Sequence, residues 1–369
     1  MKRLLIILIT IFAVMAMSVP AMAAVDTGVS ISGGSGDEPL IKAKWETPDA
    51  DPTKPETQIM PPVSYQGWSP IEFWAVVTDN PITDISVVSV DVYHPSGPPE
   101  YESFKFQVIL NPYLDAFADG VIDSEEAAQA IEAFDMAYYG GLVTLNEEFS
   151  YEDVVHELSQ GEAWIWCGAY EMYYHQPAGW YWVDAFAIDA GPVAEVSHLI
   201  NQFEYVAVTA AEFDFTSLNY GSITTDGVIS GDSTFGTAAP TMRNLGNTWL
   251  QVQVQQDDMG FGQSTTGWNV AFDARVGSLT DRPQGCDGTF TVYDPAFAKG
   301  PTSPDPGKWT TLPGVVHLCN TWKMDFSIHI YKAIYESYQG SLWLNVIPVD
   351  FTGPNISHPG NPPLVDNTD

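Results

Sequence analysis

Three stretches, Ile71 to Val77, Ile85 to Tyr93 and Phe104 to Leu110, are rich in β-branched and aromatic residues. Asn80-Pro81 and Pro95-Ser96-Gly97-Pro98-Pro99 separate them. Such runs, bounded by turn formers, predict strands. The period then changes. Ala127, Ala130, Ile131 and Phe134 recur at helical spacing, and Asp123 with Glu126 three residues on predicts a capped start; Gly140-Gly141 predicts a stop. Ser150 with Asp153 predicts a second, shorter helix, Tyr151 to Leu158, ending near Gly161. A helical insertion over about 112–160 is expected between strands.

Alternation returns at Ala163. Trp164, Trp166, Tyr170 and Met172 fall on one face of the run to Tyr174, and Ile165, Cys167 and Tyr173 on the other. A strand apolar on both faces is expected to be covered on both, by the helical insertion or by another subunit. Pro177-Ala178-Gly179 then turns into Trp180-Tyr181-Trp182-Val183 and alternation to Ile188, like the corner before a late strand of an immunoglobulin-like sandwich. From Glu212 a second series is predicted: Phe213–Leu218, Thr241–Arg243, Trp249–Gln255, Trp268–Phe272, Met324–Tyr331 and Ser341–Val346. Short, evenly punctuated strands of this kind indicate a sandwich. Residues 278–315, rich in Pro, Gly and Thr, read as a long loop or hairpin extension.

The ends read differently. Lys2 and Arg3, the apolar run Leu4–Val14 and Ala21-Met22-Ala23 have the layout of a secretory signal peptide over 1–23. Residues 24–64, rich in Gly, Pro, Asp and Thr, read as an extended arm, and 351–369 as a tail. The expected architecture is mainly β: two β-sandwich, immunoglobulin-like domains, 65–209 with the helical insertion and 210–350, preceded by the arm. No membrane span is expected after signal cleavage.

Composition narrows the partners. Without residues 1–23 the chain holds 346 residues, with 11 Lys+Arg against 47 Asp+Glu, a net charge of −36. So acidic a surface repels nucleic acid and anionic lipid. Twelve Trp within a chain 13% aromatic argue for a packed core rather than a solvated acidic tail. Of three cysteines, Cys286 and Cys319 are expected to form a disulfide, and Cys167 to be buried and unpaired or bonded to another subunit. Asn355-Ile356-Ser357 is a glycosylation sequon.

Catalytic signatures are missing. The sequence contains no G-x-S-x-G elbow, H-E-x-x-H, P-loop or dinucleotide fingerprint, and its seven histidines are scattered singly. A non-enzyme with no required cofactor is expected. Asp115, Asp119, Gly120, Asp123 and Glu126 fit positions one, five, six, nine and twelve of an EF-hand calcium loop, though Phe117 occupies position three and offers no ligand. The same letters fit a helix begun at Asn111-Pro112, ended by Gly120, and a second helix capped by Asp123 and Glu126. Both readings stand: calcium at Asp115, Asp119, Asp123 and Glu126, or two capped helices.

Pro240-Thr-Met-Arg-Asn-Leu-Gly-Asn-Thr248, Gln255–Gly262, Trp268–Arg275, Asp325–Ile330 and the turn His175–Gly179 resemble secreted cell-surface proteins of methanogenic archaea, sheath and surface-layer components among them. The likeness covers most of 65–348 and rests on sandwich framework residues, so it implies a self-associating envelope protein and transfers no catalytic residue. Many archaeal surface-layer proteins end in a membrane span. None is read here, so a sheath-type or peripheral protein is expected. The expected function is a structural subunit of an extracellular assembly, its partners copies of itself and other envelope proteins, with the arm pairing with a neighbour's sheet edge. Two rivals remain: a secreted carbohydrate-binding or adhesion module with Trp platforms, and a secreted hydrolase.

Overall fold

The computed structural model describes residues 38–80, 82–95, 105–114, 124–190, 196–277, 291–293 (backbone) and 309–349. The first series of strands is β1 (Leu40–Thr47), β2 (Thr57–Ile59), β3 (Trp68–Thr78), β4 (Ile85–Tyr93), β5 (Lys105–Pro112), β6 (Thr144–Leu145), β7 (Ala163–Tyr173), β8 (Gly179–Asp189) and β9 (Val196–Tyr205). They follow one hydrogen-bonded path, β2-β9-β8-β4-β5-β7-β3-β1-β6. β5 is the bend in that path. It pairs with β4 along Lys105–Leu110 and with β7 through Asn111 and Pro112. The two halves therefore pack face to face, and Ile71, Phe73, Val90, Trp164, Tyr181 and Phe203 meet between them.

A third layer lies outside β1, β3 and β7. Helix α1 (Ser124–Tyr139) buries Ala127, Ala130, Phe134 and Ala137, and α2 (Tyr151–Gln160) buries Val154 and Leu158. These meet Ala43, Trp45, Val76 and Ile165 of the sheet. The second helix begins as its sequence requires. Ser150 and Asp153 form a reciprocal capping box, and Gly161 ends the helix at φ 74°. The cover of β7 is thus settled: Trp164 and Trp166 face the inter-sheet core, and Ile165 faces the helices. No second subunit is needed to bury that half of the strand.

Two expectations need correction here. Residues 40–47 and 57–59 are not a free arm. β1 pairs along its length with β3, and β2 runs parallel to β9. The strand was hidden because Lys42, Lys44 and Glu46 alternate with Ile41, Ala43 and Trp45, so one face looked like solvent. That face is buried as well. Nor does a helix begin at Asn111-Pro112; those two residues finish β5. The missing N–H of Pro112 is tolerated at a strand end.

The second series is β10 (Ala211–Phe213), β11 (Asp226–Ile229), β12 (Thr241–Asn244), β13 (Trp249–Gln256), β14 (Gln263–Ser264), β15 (Gly267–Trp268), β16 (Val270–Val276), β17 (Thr291–Tyr293), β18 (Thr310–Thr311), β19 (Thr321–Ile330) and β20 (Leu342–Val349). One sheet runs β10-β12-β19-β16-β17, with β11 also pairing with β19; a second is β18-β13-β20, and β14 pairs with β15 alone. Met242, Leu250, Val252, Phe272, Trp322 and Phe326 fill the space between the first two. The run predicted as a strand over Phe213–Leu218 leaves the sheet at Phe213, while Phe215 and Leu218 pack on the core from a loop.

Candidate functional site

The corner expected before Tyr181 forms. The Tyr181 hydroxyl donates to the Pro177 carbonyl at 2.8 Å, within a side chain shut off from solvent. This is the hydrogen bond by which a tyrosine corner pins the approach to its strand. Burial pushes the phenol well above its ordinary range. Next to it lies His94, whose ring centroid is 5.3 Å from that of Tyr181 and 6.0 Å from that of Phe106. Burial lowers His94 to about 4, and its Nδ1 has no hydrogen-bond partner.

The junction between the sandwiches is built from the 240–248 segment. Asn247 clamps the connecting strip: its Oδ1 accepts from Val208 N at 2.6 Å, its Nδ2 donates to Val206 O at 2.9 Å, and its own N–H donates to Val208 O at 3.1 Å. From the other side Ala178 N donates to Asn247 O at 3.1 Å. Gly246 has no room for a side chain, because a Cβ would stand 2.2 Å from Val208 O. Arg243 lies 4.2 Å over the Tyr65 ring and pairs with Glu212. Tyr174, buried, places its hydroxyl 3.2 Å from Cys319 Sγ. Two of the segments that carried the resemblance, 240–248 and the turn at Ala178, therefore do interdomain work, which spacing alone did not reveal.

Two surfaces are candidates for contact with a partner. On the outer face of the β8–β9 pair, Trp180 and Trp182 are 41% and 38% exposed, opposite Glu204 and Gln202, with Ile200 at the next pair along that face. The second surface is an edge. β20 pairs with β13 on one side, and among the described residues no strand pairs with the other. Both backbone groups of Leu250 bond to Val316, and Val252 O accepts from Leu312 N. Leu250 and Val252 thus turn their backbones away from β20. Their cross-strand partners, Pro348 and Val346, must then aim theirs outward. The eight residues Leu342–Val349 carry no charge.

The sequence-derived sites fall largely outside the described residues. Asp115, Asp119 and Asp123 lie outside the described residues; Glu126 sits half-buried in the first turn of α1. Among the described residues no group of three or more metal-ligating side chains converges. Cys286 and Asn355 also lie outside them. Cys167 and Cys319 are free thiols, both half-buried. Burial, with the charge of Glu72 behind it, raises the Cys167 thiol. Cys319 adopts a left-handed φ of 58°. The expected Trp platforms divide: Trp45, Trp164, Trp166 and Trp322 are core, whereas Trp68, Trp180, Trp182 and Trp343 are exposed. Among the described residues no helix is long and apolar enough to cross a membrane.

No family model and no curated protein matches the chain. Among solved structures it is similar to the CsuC–CsuE chaperone–tip adhesion subunit pre-assembly complex of the archaic chaperone-usher Csu pili of Acinetobacter baumannii, at 12% identity over 79% of this chain and 97% of that one, TM-score 0.25. The major pilin subunit BcpA of Bacillus cereus gives 8% identity, 76% and 66% coverage and a TM-score of 0.21. The C-terminal domain of the Streptococcus pyogenes antigen I/II-family protein AspA gives 11%, 84%, 97% and 0.20. At these scores the likenesses carry no weight, and the fold rests on the strands described above.

Proposed function

We propose that this chain is a secreted structural subunit of an extracellular assembly, a cell sheath or surface layer, that joins copies of itself by strand addition at β20. The observation that carries the reading is that open edge. It is eight residues long and uncharged, and among the described residues no strand pairs with its outer side. Edge strands of that length are ordinarily blunted with charge, and one left open is a template for another chain. Pro348, which lacks an N–H, blunts only its end. The donor in this reading is the segment before Leu40 of a neighbouring copy, since Leu40–Thr47 and Thr57–Ile59 of the expected arm are used in its own sheet. The secretory layout of residues 1–23, the lack of a catalytic signature and the resemblance to methanogen envelope proteins support the same reading.

Acidity sets the conditions. Subunits of net charge near −36 repel at contact, and divalent cations gathered between them lower that repulsion. In this reading the 115–126 loop is the first place for calcium, through Asp115, Asp119, Asp123 and Glu126. Calorimetric titration of wild type and Asp119→Ala checks it, with one binding event lost in the variant.

Electron microscopy and light scattering test the assembly itself. Val346→Pro removes an outward N–H without touching the β13 ladder, so a folded monomer is expected where wild type forms sheets or filaments. Wild type that stays monomeric at every concentration and calcium level refutes the reading. A second reading, a carbohydrate-binding or adhesion module, is favoured by the exposed pair Trp180 and Trp182. It predicts a monomer that binds polysaccharide and loses that binding in Trp182→Ala.

A further inference from the structure

Three polar side chains inside the first sandwich have no part in that assembly. Lys44 and Glu46 sit on β1, the first strand of the domain, and each is only 1% exposed. Asn201 sits on β9, its last strand. Glu46 stands between the other two. Its Oε1 lies 3.5 Å from Lys44 Nζ, and its Oε2 accepts from Asn201 Nδ2 at 2.8 Å. Lys44 Nζ also donates to the Val183 carbonyl at 2.8 Å. Glu46 Oε1 and Asn201 Oδ1 are buried and accept no hydrogen bond.

Stability does not explain this group. A buried ion pair rarely repays the desolvation of its charges, and packed apolar residues of the same volume do as well or better. What the arrangement does supply is chemistry. Burial lowers Lys44 to about 8 and raises Glu46, so both charged forms are disfavoured at once. Passing one proton from the ammonium to the carboxylate relieves both. It leaves a neutral amine, a nucleophile, in a closed site with a carboxylic acid that touches a primary amide.

We propose that Lys44 and Asn201 become joined by an intramolecular amide bond, formed without any cofactor and with Glu46 as the proton carrier. Glu46 takes a proton from the Lys44 ammonium. The freed Nζ attacks Cγ of Asn201, while the Glu46 acid stabilises the developing charge on the amide. The C–Nδ2 bond then breaks. Nδ2 leaves as ammonia, carrying a hydrogen that Glu46 relays from Nζ, and Glu46 is left protonated. One ammonium, one carboxylate and one primary amide become one secondary amide, one ammonia and one carboxylic acid. Nothing is oxidised or reduced. Holding the reactants in a packed interior replaces the encounter such an aminolysis would need in water.

The bond would tie the first strand of the sandwich to the last, so tension on the chain could not peel either away. It is formed within one chain and stands whether or not the protein assembles at β20.

Mass spectrometry of the folded wild-type chain decides. The expected intact mass is lower by one ammonia than the sequence requires. After denaturation trypsin should fail to cut at Lys44, and one peptide should contain both the Lys44 and the Asn201 segments. That peptide separates the cross-link from loss of ammonia elsewhere in the chain. Glu46→Gln and Asn201→Ala should each have full mass, normal cleavage at Lys44 and no joined peptide. Wild type with full mass and free cleavage at Lys44 overturns the proposal, even if neither variant folds. A joined peptide persisting in Glu46→Gln overturns the role given to Glu46.

Discussion

Acidification should weaken the first sandwich through His94. The ring is 4% exposed, lies against Phe106 and Tyr181, and has an unpartnered Nδ1. A charged imidazolium there would lose its water and gain no counter-charge. Burial accordingly lowers the group from 6.5 to about 4. In the unfolded chain His94 takes up its proton near the ordinary value; in the folded chain it resists until about pH 4. Between those values the unfolded state binds more protons, so stability falls as the pH falls. At roughly 1.4 kcal/mol for each pH unit, the loss attributable to this one residue is about 3 kcal/mol once pH 4 is reached. Above about pH 6.5 none of that loss is felt. Carboxylates titrate over the same range, and there are 47 of them, so wild type must be compared with a variant. His94→Phe keeps a ring in the site and removes the titration. Urea denaturation of both proteins between about pH 7 and pH 4, followed by fluorescence, should give curves that diverge on acidification, with the variant losing less. Parallel curves would refute the argument, as would a histidine resonance for His94 that titrates near 6.5.

Other consequences follow from single contacts. Tyr181→Phe leaves the buried Pro177 carbonyl unpaired and should cost about 1–3 kcal/mol in a denaturant titration. Phe134→Ala opens a cavity between α1 and the Trp45 sheet face, with an expected cost of about 3–5 kcal/mol and early loss of helical circular dichroism on heating. Gly246→Ala drives a Cβ into Val208 O and Ala210 N; each sandwich should stay folded while limited proteolysis begins to cut at residues 206–210.

Much of the secondary structure was legible from residue pattern. Strand and helix periods are local properties, which is why β4, β7, β13, β19 and the capping box at Ser150 stood out before any contact was known. The corner at Tyr181 was equally readable, since its donor and acceptor lie only four residues apart.

What the chain alone left open depends on distant neighbours. Composition drew residues 40–59 toward an arm, because alternating lysines look solvated until another layer covers them; Lys44 is buried only because β8 and β9 pack across it. The two-faced burial of β7 had two candidate covers, and the folded helices supplied one of them. Lys44, Glu46 and Asn201 meet across 155 positions of sequence, and no spacing rule brings such residues together. That β20 is paired on one side only, among the described residues, is likewise a property of the finished sheet. Its apolar run announces a strand, but which side remains unpaired is decided by β13, whose own backbone groups are divided between β20 and the segment around Val316. Local periodicity determined the elements. Only packing between elements far apart in sequence decided which polar groups were buried together and which backbone edge was left open.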